Sequence, residues 1–197
     1  FQECGSLRSI TIPEGVTSIE WGAFQGCSSL MSITIPESVT SIGEDAFYGC
    51  ENLRSITIPE GVTSIGWKAF KGCSRLMSIT IPEGVTSIGD SAFEDCRGLT
   101  SISLPESVIK IGNYAFKSTA LTGKFVIPSG VTKIGDGLFE NCQKLTEVVI
   151  PDGITFIGPY AFKYTGITSF VIPDGIRTIN VDTFYGTRLD RITIPVS

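Results

Sequence analysis

The sequence predicts a solenoid of stacked, mainly β coils, and three observations predict it. Phenylalanine recurs with a 23-residue step at Phe1, Phe24, Phe47, Phe70, Phe93, Phe116, Phe139 and Phe162, then at Phe184 after a step of 22. The same period carries an alternating apolar segment that ends in proline, as in Ser55-Ile56-Thr57-Ile58-Pro59. It also places Cys27, Cys50, Cys73 and Cys96 three residues after successive phenylalanines. Self-similarity at a fixed period means that each unit buries its apolar face only against its neighbours. A β-sandwich uses short strands too, but has no reason to repeat residues in register.

One full unit runs from Leu53 to Arg75, and its elements follow in order. The Ser55 to Ile58 alternation is the period-2 signature of a half-buried strand, with Ile56 and Ile58 inward and Ser55 and Thr57 outward. Pro59 ends that strand, because proline cannot donate to a ladder. Val62 and Ile65 point inward from a second extended segment on another side of the coil. Gly66 closes it, in a column with Gly43, Gly89, Gly112, Gly135 and Gly158, with Asn180 once and Glu20 as the exception. Glycine and asparagine tolerate positive φ, so a left-handed turn is expected in that column. The stretch up to Cys73 is long enough only for a short helical or 3₁₀ turn that drops Ala69 and Phe70 into the core. Stacked at about 4.8 Å per repeat, some eight coils make a rod about 40 Å long.

Composition narrows function. The 197 residues carry 15 basic and 20 acidic side chains, a net charge of −5, which argues against a nucleic-acid partner, since such binding needs a basic face. No apolar run approaches the length of a membrane-spanning helix, about 20 residues, so no membrane insertion is expected in this segment. Residues 1–197 read as a single domain, a fragment of a longer array with uncapped ends. Terminal coils of that kind expose core residues and strand edges, so cover by flanking sequence or self-association with another copy is expected.

The pattern Leu-x-x-Ile-x-Ile-Pro-x-x-Val-x-x-Ile-Gly-x-x-Ala-Phe-x-x-Cys covers the whole chain and resembles the BspA-like leucine-rich repeats of bacterial and protist surface proteins. The resemblance implies a leucine-rich-repeat solenoid, a curved right-handed superhelix. It also implies an extracellular or cell-surface setting and a role in adhesion or in binding a host or matrix protein; the outward Ser/Thr ladders leave a glycan as the alternative partner. It brings no catalytic motif and no cofactor.

Six cysteines, Cys4, Cys27, Cys50, Cys73, Cys96 and Cys142, share one column. Side chains stacked in register sit about 4.8 Å apart with parallel Cα–Cβ bonds, whereas bridged Cβ atoms need roughly 3.5–4.5 Å. Thr119, Thr165 and Thr187 fill the same column, each with a link to the next Leu or Ile that is one residue shorter. Cys and Thr therefore mark two turn types, and all six thiols are expected to be free and buried, with no disulfide. A zinc site is disfavoured because the thiols lie in single file and the chain has no histidine.

Surface columns carry the remaining signals. An acid follows most repeat prolines: Glu14, Glu37, Glu60, Glu83, Glu106, Asp152 and Asp174, with Ser129 the exception. A solvated acidic edge that discourages lateral aggregation is expected rather than a calcium site, because the glycine-rich, Asp-bearing loops of calcium-binding β-rolls are absent. The first strand face carries Ser9, Ser32, Ser55, Ser78 and Ser101 beside Thr11, Thr34, Thr57, Thr80 and Ser103. Toward the C-terminus these columns become Lys124, Glu147, Ser169 and Arg191 beside Val126, Val149, Val171 and Thr193. Outward valines flanked by charges resemble a recognition patch more than a filler ladder, so Lys124, Val126, Glu147, Val149, Val171 and Arg191 are the candidate binding residues. Trp21, Trp67, Tyr48, Tyr114, Tyr160, Tyr164 and Tyr185 read either as binding anchors or as covers for the turn beneath them. Catalysis finds no support: histidine is absent, and no phosphate-binding glycine motif occurs. The sequence thus points to a non-catalytic binding module, with a stalk or spacer that has no ligand of its own as the rival reading.

Overall fold

The computed structural model describes residues 1–194, and they form a parallel β-solenoid of about eight turns. Successive coils pair in parallel at the repeat step. Ser55, Ile56 and Thr57 face Ser78, Ile79 and Thr80, and Ser9 to Thr11 face Ser32 to Thr34. A second side of the coil forms a five-stranded ladder of two-residue strands, Ser18–Ile19, Ser41–Ile42, Ser64–Ile65, Ser87–Ile88 and Lys110–Ile111. Lys133–Ile134 and Phe156–Ile157 continue it as a separate pair.

The third side holds consecutive turns, and the described residues contain no helix, contrary to the expected helical or 3₁₀ turn. The backbone explains why. Lys68 and Gly72 both have positive φ, 52° and 75°, so no right-handed turn can propagate through them. Alternate N–H groups then serve two ladders. Those of Ala69, Lys71 and Cys73 close turns within the coil, while those of Lys68, Phe70 and Gly72 donate to the carbonyls of Asp90, Ala92 and Glu94 in the next.

The glycine column also needs a different explanation from the one its composition suggests. Gly43, Gly66 and Gly89 do not have positive φ. A Cβ on Gly66 would lie 2.5 Å from the Gly43 carbonyl carbon, and one on Gly89 would lie 2.7 Å from that of Gly66. Close approach of backbones excludes side chains there. The left-handed residues lie two positions later, at Gly22, Asp45, Lys68, Ser91, Tyr114, Gly137, Tyr160 and Asp182. Asn180 fits the glycine column by donating its Nδ2 to Ile157 O at 2.6 Å.

One continuous core fills the rod. Phe47, Phe70, Phe93, Phe116, Phe139 and Phe162 are wholly buried, and their rings stack face to face, with the Phe70 and Phe93 centroids 5.4 Å apart and 2° from parallel. Leu53, Ile56, Ile58, Val62 and Ile65 turn inward as their spacing requires. Each fully buried side chain of this size contributes about 1.5–3 kcal/mol by leaving water.

Where threonine replaces cysteine, the chain shortens the turn and then adjusts the strand. Thr119 lies two residues before Leu121, whereas Cys96 lies three before Leu99. The missing residue returns as Gly123, a bulge with φ +70° at the start of Gly123–Val126, which restores register with Glu147. After Thr165 no residue is inserted, and the Phe162 to Phe184 step falls to 22.

Candidate binding surfaces

The C-terminal part of the first strand face assembles four of the six expected residues. Lys124 lies opposite Glu147, and Val126 opposite Val149, across the parallel pair Gly123–Val126 and Leu145–Val149. Lys124 Nζ and Glu147 Oε1 are 2.9 Å apart with both side chains more than half exposed. An ion pair so placed contributes about 0–1 kcal/mol and chiefly fixes where the charges stand. Val126 is 52% exposed and Val171 66%, which leaves unusual apolar area on a strand face. Val149, expected to face outward, is half-buried between them. Val171 and Arg191 sit on the next pair, Ser169–Val171 with Arg191–Thr193, where Arg191 is the register partner of Ser169. That pair lies beside the first without joining its hydrogen-bonded ladder.

The turn edge carries a charge ladder that the sequence reading passed over, although it has the repeat period. The position after the repeat Phe reads Lys71, Glu94, Lys117, Glu140 and Lys163. Lys71 Nζ meets Glu94 Oε2 at 2.8 Å, and Lys117 Nζ meets Glu140 Oε2 at 3.0 Å. Burial alone would lower the Lys117 ammonium, but the Glu140 carboxylate outweighs it and holds the pKa above the usual lysine value. Lys163 bonds Asp182 at 2.9 Å, which raises its pKa too. The ammonium also sits among the rings of Tyr160, Tyr164 and Tyr185, at 4.8, 5.7 and 5.1 Å from their centroids. Tyr114 and Tyr164 lie over Gly137 and Gly186 of the following coils, where a Cβ would strike their rings. These two tyrosines therefore cover the turn. Trp21, 61% exposed, stands free of such a role, and Trp67 lies under Lys68 Nζ at 3.7 Å.

All six cysteines are free. Five are buried, but Cys4 is exposed: in the first coil it has nothing stacked on one side, so the expectation of six buried thiols fails there. The buried thiols also do more than fill space. Sγ of Cys50, Cys73 and Cys96 donates to the carbonyl oxygens of Phe24, Phe47 and Phe70 one coil earlier, at 3.1, 3.2 and 3.1 Å. The threonine hydroxyls of Thr119 and Thr165 instead donate to Phe116 and Phe162 of their own coil, both at 2.8 Å. Burial pushes Cys50 up to about 12 and Cys142 up to about 11, so these thiols stay protonated and unreactive.

In the acid column, Glu106 Oε2 accepts the Ser129 N–H at 3.0 Å and its hydroxyl at 2.7 Å, which lowers the Glu106 pKa. Among the described residues no group of three or more acidic, Cys or His side chains is placed to hold a metal ion. No helix among them is long and apolar enough to cross a membrane.

The BspA type leucine rich repeat region family matches in six copies, over residues 1–122 and 110–197. The chain belongs to this family. Solved leucine-rich repeat proteins share the fold. A leucine-rich repeat protein of T. pallidum is 35% identical with a TM-score of 0.74, over 79% of this chain and 75% of that one. A leucine rich cell surface protein from Faecalibacterium prausnitzii is 33% identical with a TM-score of 0.65, and 98% of this chain covers 61% of it. A leucine-rich repeat protein from Bacteroides ovatus is 25% identical with a TM-score of 0.54, over 98% of this chain and 74% of that one. No curated protein matches.

Proposed function

We propose that this BspA-type array is a non-catalytic module of a secreted or cell-surface protein that binds another protein through its strand face. The observation that carries the reading is local. Exposed Val126 and Val171 flank half-buried Val149 beside the fixed Lys124–Glu147 pair, on a face that is a Ser/Thr ladder through the first five coils. Apolar area rimmed by positioned charge is the usual composition of a recognition patch. The rod presents it pre-ordered, so little conformational entropy is lost on binding. The surface setting draws support from family membership and from the F. prausnitzii relative, a leucine rich cell surface protein.

The test is binding to a panel of purified matrix and host-surface proteins, by biolayer interferometry, with the unaltered chain and with Lys124→Glu, Glu147→Lys, Val126→Asp and Val171→Asp combined. A partner lost at least tenfold in the variant supports the strand-face reading. A partner bound equally by both moves the site elsewhere. The rival, a spacer without ligand, draws support from the uniform Ser/Thr columns of the first five coils, and predicts no specific partner at all.

A further inference from the structure

A different side of the rod parts between Lys110–Ile111 and Lys133–Ile134. Along the second ladder the N–H groups of Gly43, Gly66, Gly89 and Gly112 each donate to the carbonyl of the isoleucine one coil earlier, and Gly158 does the same to Ile134. Gly135 makes no such bond to Ile111, and the five-stranded ladder stops at Lys110–Ile111. A cleft of about 570 Å³ opens at that junction, lined by Ile109, Lys110, Asn113, Lys133 and Phe156 among others.

The sequence changes at the same place. Ser18, Ser41, Ser64 and Ser87 occupy the outward column of earlier coils, and Lys110, Lys133 and Phe156 replace them. Ile109 is 61% exposed and Phe156 40%. Among the described residues Lys110 and Lys133 form no ion pair, unlike Lys71, Lys117, Lys124 and Lys163. The one carboxylate in the lining, Asp90, is engaged: its Oδ1 accepts the Asn113 N–H at 2.9 Å.

We infer that this cleft docks an extended acidic segment of a partner protein, with the motif acidic–x–apolar. One carboxylate placed between Lys110 and Lys133 bridges two like charges that stand one coil apart and relieves their repulsion. From that midpoint to Phe156 is one and a half coils, about 7 Å, and side chains two apart on an extended chain are separated by about 6.8 Å. An apolar side chain in that position rests on Phe156 while Ile109 flanks the backbone. Exposed Ile109 and Phe156 beside the two lysines favour a peptide, which carries an acid and an apolar side chain together, over an anionic glycan. This docking face is independent of the Lys124–Glu147 patch.

Selection of a random peptide phage library on the chain tests it, followed by fluorescence anisotropy with the enriched peptides. The expected result is enrichment of acidic–x–apolar sequences. Affinity should fall at least tenfold in Lys110→Glu with Lys133→Glu, and several-fold in Phe156→Ser, yet stay unchanged in the four-residue strand-face variant. Far-ultraviolet dichroism checks that the exposed-site variants keep their fold. Enriched peptides that lack an acid, or that bind the double lysine variant equally well, overturn the inference. So does binding of uronate oligosaccharides, lost in that variant, with no peptide enriched.

Discussion

The Cys73 thiol donates to the Phe47 carbonyl oxygen at 3.2 Å, linking the turn of one coil to the core phenylalanine of the coil before it. Phe47 O already accepts the Cys50 N–H, so one carbonyl joins the ends of its own turn and the next coil's side chain. Cys73→Ala removes this donor together with fully buried sulfur. A loss of about 1–2 kcal/mol is expected, read as a lower midpoint in urea denaturation.

Phe70 stacks on Phe47 below and Phe93 above, with centroids 5.3 and 5.4 Å away. Truncation there leaves a cavity bounded by two rings and cannot be healed by a change in one coil alone. Phe70→Ala should therefore cost about 3–5 kcal/mol. Phe184, only partly buried in the last described coil, should cost markedly less on the same change. Equal losses at the two positions would contradict a core that depends on neighbours on both sides.

Gly66 and Gly72 separate two reasons for glycine. A Cβ on Gly66 meets backbone of the preceding coil, so Gly66→Ala should destabilise by about 3 kcal/mol through forced displacement. At Gly72 the nearest atom to a Cβ is 3.7 Å away, and the constraint is φ +75° alone. Asn141 adopts the same conformation in its coil, with φ +69°. Gly72→Asn should then cost less than about 1 kcal/mol. Thermal denaturation of the two variants side by side distinguishes them.

The buried thiols give a pH dependence of definite sign. Their folded pKa values lie above that of an unfolded thiol, which is about 8.5. Deprotonation therefore favours the unfolded chain, and stability is full below about pH 8.5 and declines as pH rises toward 11 and 12. Urea midpoints measured from pH 7 to 10.5 should fall on the alkaline side. A thiol reagent at neutral pH should modify Cys4 quickly and the other five only after unfolding.

The coil was legible because its columns repeat. Ile56, Val62, Ile65 and Phe70 declare their burial by position, and family membership follows from the same residues. Backbone conformation was less legible. Glycine at 66 suggests positive φ, but glycine serves close approach equally well, and only the neighbouring coil's coordinates decide between them. Lys68, Tyr114 and Tyr160 carry positive φ with side chains that give no such signal, since hydrogen bonds to the next coil stabilise the conformation. The Lys124–Glu147 pair was visible as a break in the Ser/Thr columns. The equivalent break from Ser87 to Lys110 in the second ladder was equally readable, but its cleft coincides with an unmade Gly135 to Ile111 bond that no residue pattern records.

Spin labels placed on one outward column measure the coil-upon-coil register most directly. With Cys4 replaced by serine, pulsed electron resonance distances from Ser9→Cys to Ser101→Cys, Glu147→Cys and Ser169→Cys span four, six and seven coils. In-register stacking predicts about 19, 29 and 34 Å, a linear rise near 4.8 Å per coil. Distances that level off, or that fail to increase in this order, would contradict the stack on which both proposed faces are built.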